Sequence, residues 1–181
     1  EGSDEVKSTQ VIVMTQSYEK PFREIESAGN GFSIERRFFR IKGDQTESLV
    51  ELRQGEVVSK GEKLLAEYRI WNKENRSFVK VTVPREACLV PKNQLSGHYG
   101  LGIRPLTVNG WYSFVPGGYR NVKNGVTEYY FDSYPEEKTV IREEFFATRT
   151  GAWTAPVVTI ESLYATHYRA NGGFGGTLEV E

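Results

Sequence analysis

Lys63-Leu64-Leu65-Ala66-Glu67-Tyr68-Arg69-Ile70-Trp71 is the stretch that decides the fold class. Leu64, Ala66, Tyr68 and Ile70 fall on every second position. Successive side chains of an extended chain point to opposite faces, so these four share one apolar face. The other face carries Glu67 and Arg69 and is expected to be solvated. The same period recurs to both sides. Ser77 to Val83 places Val79, Val81 and Val83 on one face, and Thr127, Tyr129 and Phe131 alternate with Val126, Glu128 and Tyr130. Lys138 to Thr148 holds Ile141, Phe145 and Ala147 in one register. Gly31 to Ile41, Thr9 to Thr15, Val157 to Tyr164 and Thr177 to Val180 read as further β runs.

The punctuation between these runs is that of strands. Asn124-Gly125 joins Tyr119–Lys123 to a strong β run, the pattern of a two-residue hairpin turn. Asn109-Gly110 is a second candidate turn. No window of about 12 residues keeps a helical apolar stripe clear of Gly and Pro. Ala87 to Ser96 can hold one short helical turn around Pro91. Many short strands with turn signals between them predict an all-β fold, an immunoglobulin-like antiparallel β-sandwich with little helix. Ser17 to Asn30 is polar and contains Pro21, and reads as a connector. The expected organisation is an N-terminal extension over residues 1–29 and a sandwich domain over residues 30–181.

Composition narrows the functional classes. The chain has 181 residues, 38% hydrophobic, 26% charged and 13% aromatic, which suits a folded domain rather than a disordered one. A net charge of −1 leaves no basic excess to neutralise phosphates, so no nucleic-acid partner is expected. No stretch approaches the roughly 20 apolar residues of a membrane-spanning helix. Cys88 stands alone and is expected to be a small buried residue. His98 and His167 are isolated, without metal-ligand spacing, and no cofactor is expected. Glu136-Glu137 and Glu143-Glu144 are adjacent pairs, so neither can converge on one bond, and solvation is expected for all four. There is no Gly-x-Ser-x-Gly elbow. The residues therefore give no support to an enzyme.

Aromatic residues crowd the second half: Trp111, Tyr112, Tyr119, Tyr129, Tyr130, Tyr134, Trp153, Tyr164 and Tyr168. Most are expected to fill the core between sheets. If Trp111, Tyr112 and Tyr119 were exposed and coplanar, they would suit a carbohydrate-binding or adhesive β-sandwich of a cell-surface protein, which is the alternative reading.

Four segments carry a more specific pattern. Phe78-Val79-Lys80-Val81-Thr82-Val83-Pro84-Arg85-Glu86-Ala87-Cys88-Leu89 leads on to Gln94-Leu95-Ser96-Gly97. Tyr119-Arg120-Asn121-Val122-Lys123-Asn124 comes next, then Thr127-Glu128-Tyr129-Tyr130-Phe131-Asp132 before Tyr134-Pro135. The fourth is Gly151-Ala152-Trp153-Thr154-Ala155-Pro156 with Val158-Thr159-Ile160-Glu161-Ser162-Leu163-Tyr164 and Tyr168-Arg169-Ala170. Taken in order, these resemble the C-terminal macroglobulin domain of bacterial alpha-2-macroglobulin-like proteins. Phe32 to Ile41 and Leu52 to Leu64 resemble the family's opening strands. The family's domain order would make Thr9 to Thr15 the tail of a preceding CUB-like domain. Where the family usually has Tyr-Ala-Pro, this chain has Tyr164-Ala165-Thr166, and Val90-Pro91-Lys92 stands for Glu-Pro-Val.

The resemblance implies a non-catalytic part of a bacterial protease inhibitor. Such proteins are exported to the periplasm or cell envelope, often as membrane-associated lipoproteins, with the signal and anchor outside this chain. A protease cleaves a bait region, the molecule rearranges, and in many members a Cys–Gln thioester captures the protease covalently. The motif for that bond, Cys-Leu-Glu-Gln, is absent here: Cys88 is followed at the third position by Pro91. The implied partners are the thioester-bearing domain of the same polypeptide and, through the full-length protein, target proteases. The family presents an apolar residue followed by Tyr to the thioester domain, and by position these are Leu163 and Tyr164. Strand alternation puts the two on opposite faces, so at most one is expected to point inward.

Overall fold

Alternation along the chain is realised as strands almost throughout the residues described by the computed structural model, which are 14, 17, 19–21, 24–42, 48–100, 117–173 and 176–181. In chain order the strands are β1 (Ala28–Asn30), β2 (Phe32–Lys42), β3 (Ser48–Glu51), β4 (Val57–Val58), β5 (Lys63–Asn72), β6 (Arg76–Pro84), β7 (Leu89–Pro91) and β8 (Gly97–Tyr99). They continue with β9 (Gly118–Lys123), β10 (Val126–Tyr134), β11 (Lys138–Ala147), β12 (Gly151–Thr154), β13 (Val158–Ser162), β14 (Arg169–Gly172) and β15 (Thr177–Val180). No α-helix occurs among the described residues. The stretch expected to hold a helical turn around Pro91 instead forms a turn and the short strand β7, because Pro91 sits at an edge, opposite Phe145 of β11.

A seven-stranded sheet, ordered β1-β14-β13-β6-β10-β9-β8, faces a five-stranded sheet, ordered β3-β2-β5-β11-β7. Both are antiparallel throughout. A small third sheet, β12-β15-β4, closes one end and contains a short parallel pair, β15 with β4. The core lies between the two large sheets. Val79, Val81 and Val83 from β6, Tyr129 and Phe131 from β10 and Ile160 from β13 meet Ile34, Phe38, Tyr68, Ile70 and Phe145 from the facing sheet. Each such side chain contributes about 1.5–3 kcal/mol when fully buried. The Asn124-Gly125 hairpin forms, with Lys123 paired to Val126; Gly125 takes a φ of 75° while Asn124 stays at negative φ, so the turn is not the I′ type in which both central residues are positive.

Burial of charge departs from the alternation argument. Glu67 and Arg69, expected in solvent, are 0% and 3% exposed. The sheet order explains it. Arg142 of β11 stands opposite Glu67 of β5, and its Nε and Nη2 donate to Glu67 Oε1 at 3.0 and 2.8 Å. Arg69 donates to the other oxygen at 3.1 and 3.0 Å. Two guanidiniums thus saturate one carboxylate. Glu143, also expected in solvent, points into the space between the sheets and is 5% exposed. There Arg120 of β9 donates to Glu143 Oε1 at 2.5 Å, and the Thr127 hydroxyl donates to the same oxygen at 3.0 Å.

Cys88 is fully buried, and burial together with the Glu86 charge pushes its thiol up to about 12, which keeps it a neutral packing residue. Of the aromatic residues in the second half, Tyr129 and Tyr134 are wholly buried, Tyr130, Trp153 and Tyr168 are half-buried, and Tyr119 and Tyr164 are exposed. Trp111, Tyr112, Asn109-Gly110 and the Thr9–Thr15 run lie outside the described residues, apart from the exposed Met14.

Candidate functional site

The two residues singled out from the sequence sit together at the end of β13. The strand stops at Ser162, and both Leu163 (42%) and Tyr164 (82%) are exposed. Alternation holds only within a strand, so the expectation of opposite faces does not apply beyond Ser162. The segment from Leu163 to Tyr168 is a closed loop between β13 and β14. Ser162 N–H donates to the Tyr168 carbonyl at 3.0 Å, and Tyr168 N–H donates to the Ala165 carbonyl at 2.9 Å.

The base of this loop is held firmly. The Arg76 guanidinium lies 3.5 Å from the centre of the Tyr168 ring and 5.3 Å from that of Phe32. Such cation–ring contacts contribute about 0.5–2 kcal/mol, more as water is excluded. Asn30 Nδ2 donates to the backbone carbonyl of His167 at 3.0 Å, tying the loop to β1. The tip has no comparable burial. Among the described residues Tyr164 meets one ring, Phe78, edge to face at 4.9 Å with an interplanar angle of 86°.

Phe78 is a member of the site that alternation could have found. It lies on the face of β6 opposite Val79, Val81 and Val83, and is 46% exposed. Its carbonyl accepts the Leu163 N–H at 2.9 Å, so the β13 register, Val79 opposite Ser162, is carried one residue past the strand end. Phe78, Leu163 and Tyr164 together make an exposed apolar cluster at one end of the outer face of the seven-stranded sheet.

Further along that outer face, beside Tyr119 and Tyr130, lies a charged group. Glu128 lies 2.6 Å from Lys123 Nζ and 3.2 Å from Lys80 Nζ, and accepts the Tyr130 hydroxyl at 2.9 Å. The hydrogen bond from Lys123, then those from Tyr130 and Lys80, pull the Glu128 carboxyl from 4.5 down to about 2 against the opposing effect of burial. A depressed carboxyl stabilises the fold above its unfolded value, and that contribution fades as pH falls from about 4.5 to about 2. Glu128→Gln is expected to melt below wild type at neutral pH. The gap should close across that window in thermal melts followed by circular dichroism, and a gap independent of pH would contradict the assignment.

Among the described residues, no three His, Cys, Asp or Glu side chains are grouped to hold a metal ion. His98 and His167 are far apart in the pairing: His98 stands opposite Tyr119 on β9, with the two rings perpendicular at 6.0 Å, and the His167 ring lies 4.0 Å from that of Tyr168, tilted by 46°. No helix of the described residues is long and apolar enough to cross a membrane.

The two facing antiparallel sheets define a macroglobulin-type β-sandwich. Residues 31–166 match the family of the bacterial alpha-2-macroglobulin MG10 domain. The chain belongs to that family. Among solved structures it is similar to a tyrosine-to-glycine mutant of Salmonella alpha-2-macroglobulin, with a TM-score of 0.63 and 17% identity over 86% of this chain and 10% of that one. It is also similar to Escherichia coli alpha-2-macroglobulin from domain MG7 to the C-terminus, with a TM-score of 0.61 and 17% identity over 86% of this chain and 24% of that one. Trypsin-activated Escherichia coli alpha-2-macroglobulin gives 0.60 and 14% identity over 86% and 11%. At such identities the likeness speaks to the fold. The chain spans between 10% and 24% of the length of these neighbours. No curated protein matches it in sequence.

Proposed function

We propose that this chain is the non-catalytic domain of an exported, protease-trapping bacterial alpha-2-macroglobulin that packs against the thioester-bearing domain and shields its reactive bond. The observation that carries the reading is Tyr164, a large ring left 82% exposed at a loop tip beside Leu163 and Phe78. A thioester lasts in water only where water and amines are kept from it, and an apolar ring laid over the bond excludes both. A loop fixed at its base and apolar at its tip suits that task. In this reading Leu163 and Tyr164 contact the thioester domain, and the polar Lys80–Glu128–Lys123 face stays in solvent. The parent protein acts in the periplasm or at the cell envelope.

Tyr164→Ala in the thioester-bearing parent tests this. Withdrawing one buried ring forfeits about 1.5–3 kcal/mol of exclusion, which corresponds to roughly ten- to a hundredfold faster loss of the bond. Methylamine-driven release of free thiol measures it. The same change should leave the unfolding of this chain within about 0.5 kcal/mol of wild type, because the ring is exposed within it. Release at the wild-type rate would remove the shielding role.

A further inference from the structure

We infer that Phe78 is a positioning residue for Tyr164: its side chain is held in an unfavourable backbone conformation so that its ring can fix the Tyr164 ring in place. Phe78 has a φ of 55°, and among the described residues it is the only non-glycine with a positive value. A bulky side chain in the left-handed region crowds its own backbone, and such a conformation persists only where the surroundings impose it. Nothing about the core demands the ring here, since Phe78 is half-exposed on the outer face. On either side of it the pairing with β10 is regular, Phe131 opposite Val79 and Ser133 opposite Ser77. The left-handed residue therefore sits inside an otherwise ordinary ladder.

What the conformation achieves is local to the loop tip. The Phe78 carbonyl takes the Leu163 N–H at 2.9 Å, and the ring meets Tyr164 edge to face at 4.9 Å. Edge-to-face pairs at this separation are attractive and directional, so they restrict a neighbouring ring as well as touching it. A residue chosen only for backbone comfort at this φ would be glycine. Phenylalanine in its place keeps a ring at the expense of that comfort.

The consequence for a thioester rests on the shielding reading, but the positioning itself does not, and three variants separate the two. Phe78→Ala removes the ring and keeps the strained backbone, Phe78→Gly removes both, and Phe78→Tyr keeps the ring. Thermal melts should place Phe78→Gly above Phe78→Ala by roughly 2–5 °C, the reverse of the usual order inside a strand. In the 181-residue chain with ring-labelled tyrosine, the Tyr164 ring resonances, assigned with Tyr164→Phe, should move to free-tyrosine positions in both Phe78→Ala and Phe78→Gly, and stay near wild type in Phe78→Tyr. In the thioester-bearing parent, methylamine-driven thiol release should accelerate several-fold and equally in the Ala and Gly variants despite their different stabilities, with Phe78→Tyr restoring the wild-type rate. Unmoved Tyr164 resonances would overturn the inference whatever the thioester does. So would release rates that follow melting temperature, or that stay at wild type in a parent where Tyr164→Ala speeds release. If Tyr164→Ala changes nothing, the shielding reading falls, and the resonance measurement alone decides the role of Phe78.

Discussion

Glu143→Ala is expected to lower the unfolding free energy of the chain by about 3–5 kcal/mol, the range for removing one partner of a buried ion pair. Glu143 belongs to β11 in one sheet, while Arg120 of β9 and Thr127 of β10 belong to the other, so the contact bolts the two sheets across the core. The side chains of Arg120 and Glu143 are 8% and 3% exposed. Removing the carboxylate strands a guanidinium between the sheets. That guanidinium keeps its bonds to the carbonyls of Leu95 and Asn93, at 2.9 and 2.8 Å, which neutralise no charge. For a chain of this size the loss corresponds to roughly a 10 °C drop in Tm. The double change Glu143→Leu with Arg120→Met should recover most of it, because an apolar pair of similar volume needs no desolvation of charge. Urea unfolding of Glu143→Leu, Arg120→Met and the double completes the cycle. A single variant that costs under about 1 kcal/mol would show that the pair is solvated.

The Arg36–Glu86 pair is also buried, but its carboxyl is in a different state, and its loss is expected to be milder. Arg36 Nη2 lies 2.8 Å from Glu86 Oε1 and, as with Arg120, the guanidinium also meets backbone carbonyls, that of Pro156 at 2.7 Å and that of Pro84 at 3.4 Å. Burial holds the Glu86 carboxyl above its usual range, against the pull of Arg36. Its folded value thus exceeds its unfolded one, so this group favours folding less as pH rises past 4.5. Breaking the Arg36–Glu86 contact by Glu86→Gln should therefore cost less than breaking the Arg120–Glu143 contact.

These ion pairs mark where reading the sequence stops. Alternation at Leu64, Ala66, Tyr68 and Ile70 correctly indicates a strand and its core face, because period two is a property of one strand alone. It cannot tell whether the opposite face is covered. Burial of Glu67 depends on Arg142, which is 75 positions away and becomes its neighbour only because β11 lies beside β5. Glu143 counts with Ile141 and Phe145 in register, so its parity points inward, and only its charge argues for solvent. The site shows the same limit. Leu163 and Tyr164 are legible by resemblance to the family, but alternation assigns them opposite faces only if the strand runs on, and it ends at Ser162. Alternation can place the Phe78 ring on the outer face, but its backbone conformation is not legible, since a φ of 55° leaves no trace when the residue is not glycine.

Gly172→Ala carries the other large expectation, and it joins the fold to the site. Gly172 ends β14 and faces β2 of the opposite sheet, where the sandwich is pinched. A Cβ there would lie 1.9 Å from the Ile34 carbonyl oxygen and 2.9 Å from its carbon. Those are backbone atoms inside the β2–β5 ladder, where Ile34 pairs with Ile70, so no side-chain rotation relieves the clash. One of the two sheets must move. Overpacking a core costs about 1–3 kcal/mol where neighbours can adjust, and here the upper end or beyond is expected, about 6–12 °C in Tm. Gly97→Ala is the matched control, with nothing within 4 Å of its added Cβ, and should stay within about 0.5 kcal/mol of wild type. The displacement has a direction that bears on function. β14 is paired to β13 from Val158–Gly172 to Glu161–Arg169, and the Leu163–Tyr168 loop is strung between them. Pushing β14 off β2 drags the base of that loop, with Tyr168 against Arg76, away from its anchor. The Tyr168 ring resonances should therefore shift in Gly172→Ala and not in Gly97→Ala. A Gly172→Ala chain as stable as wild type, with Tyr168 unmoved, would mean that the two sheets are not in backbone contact at this corner.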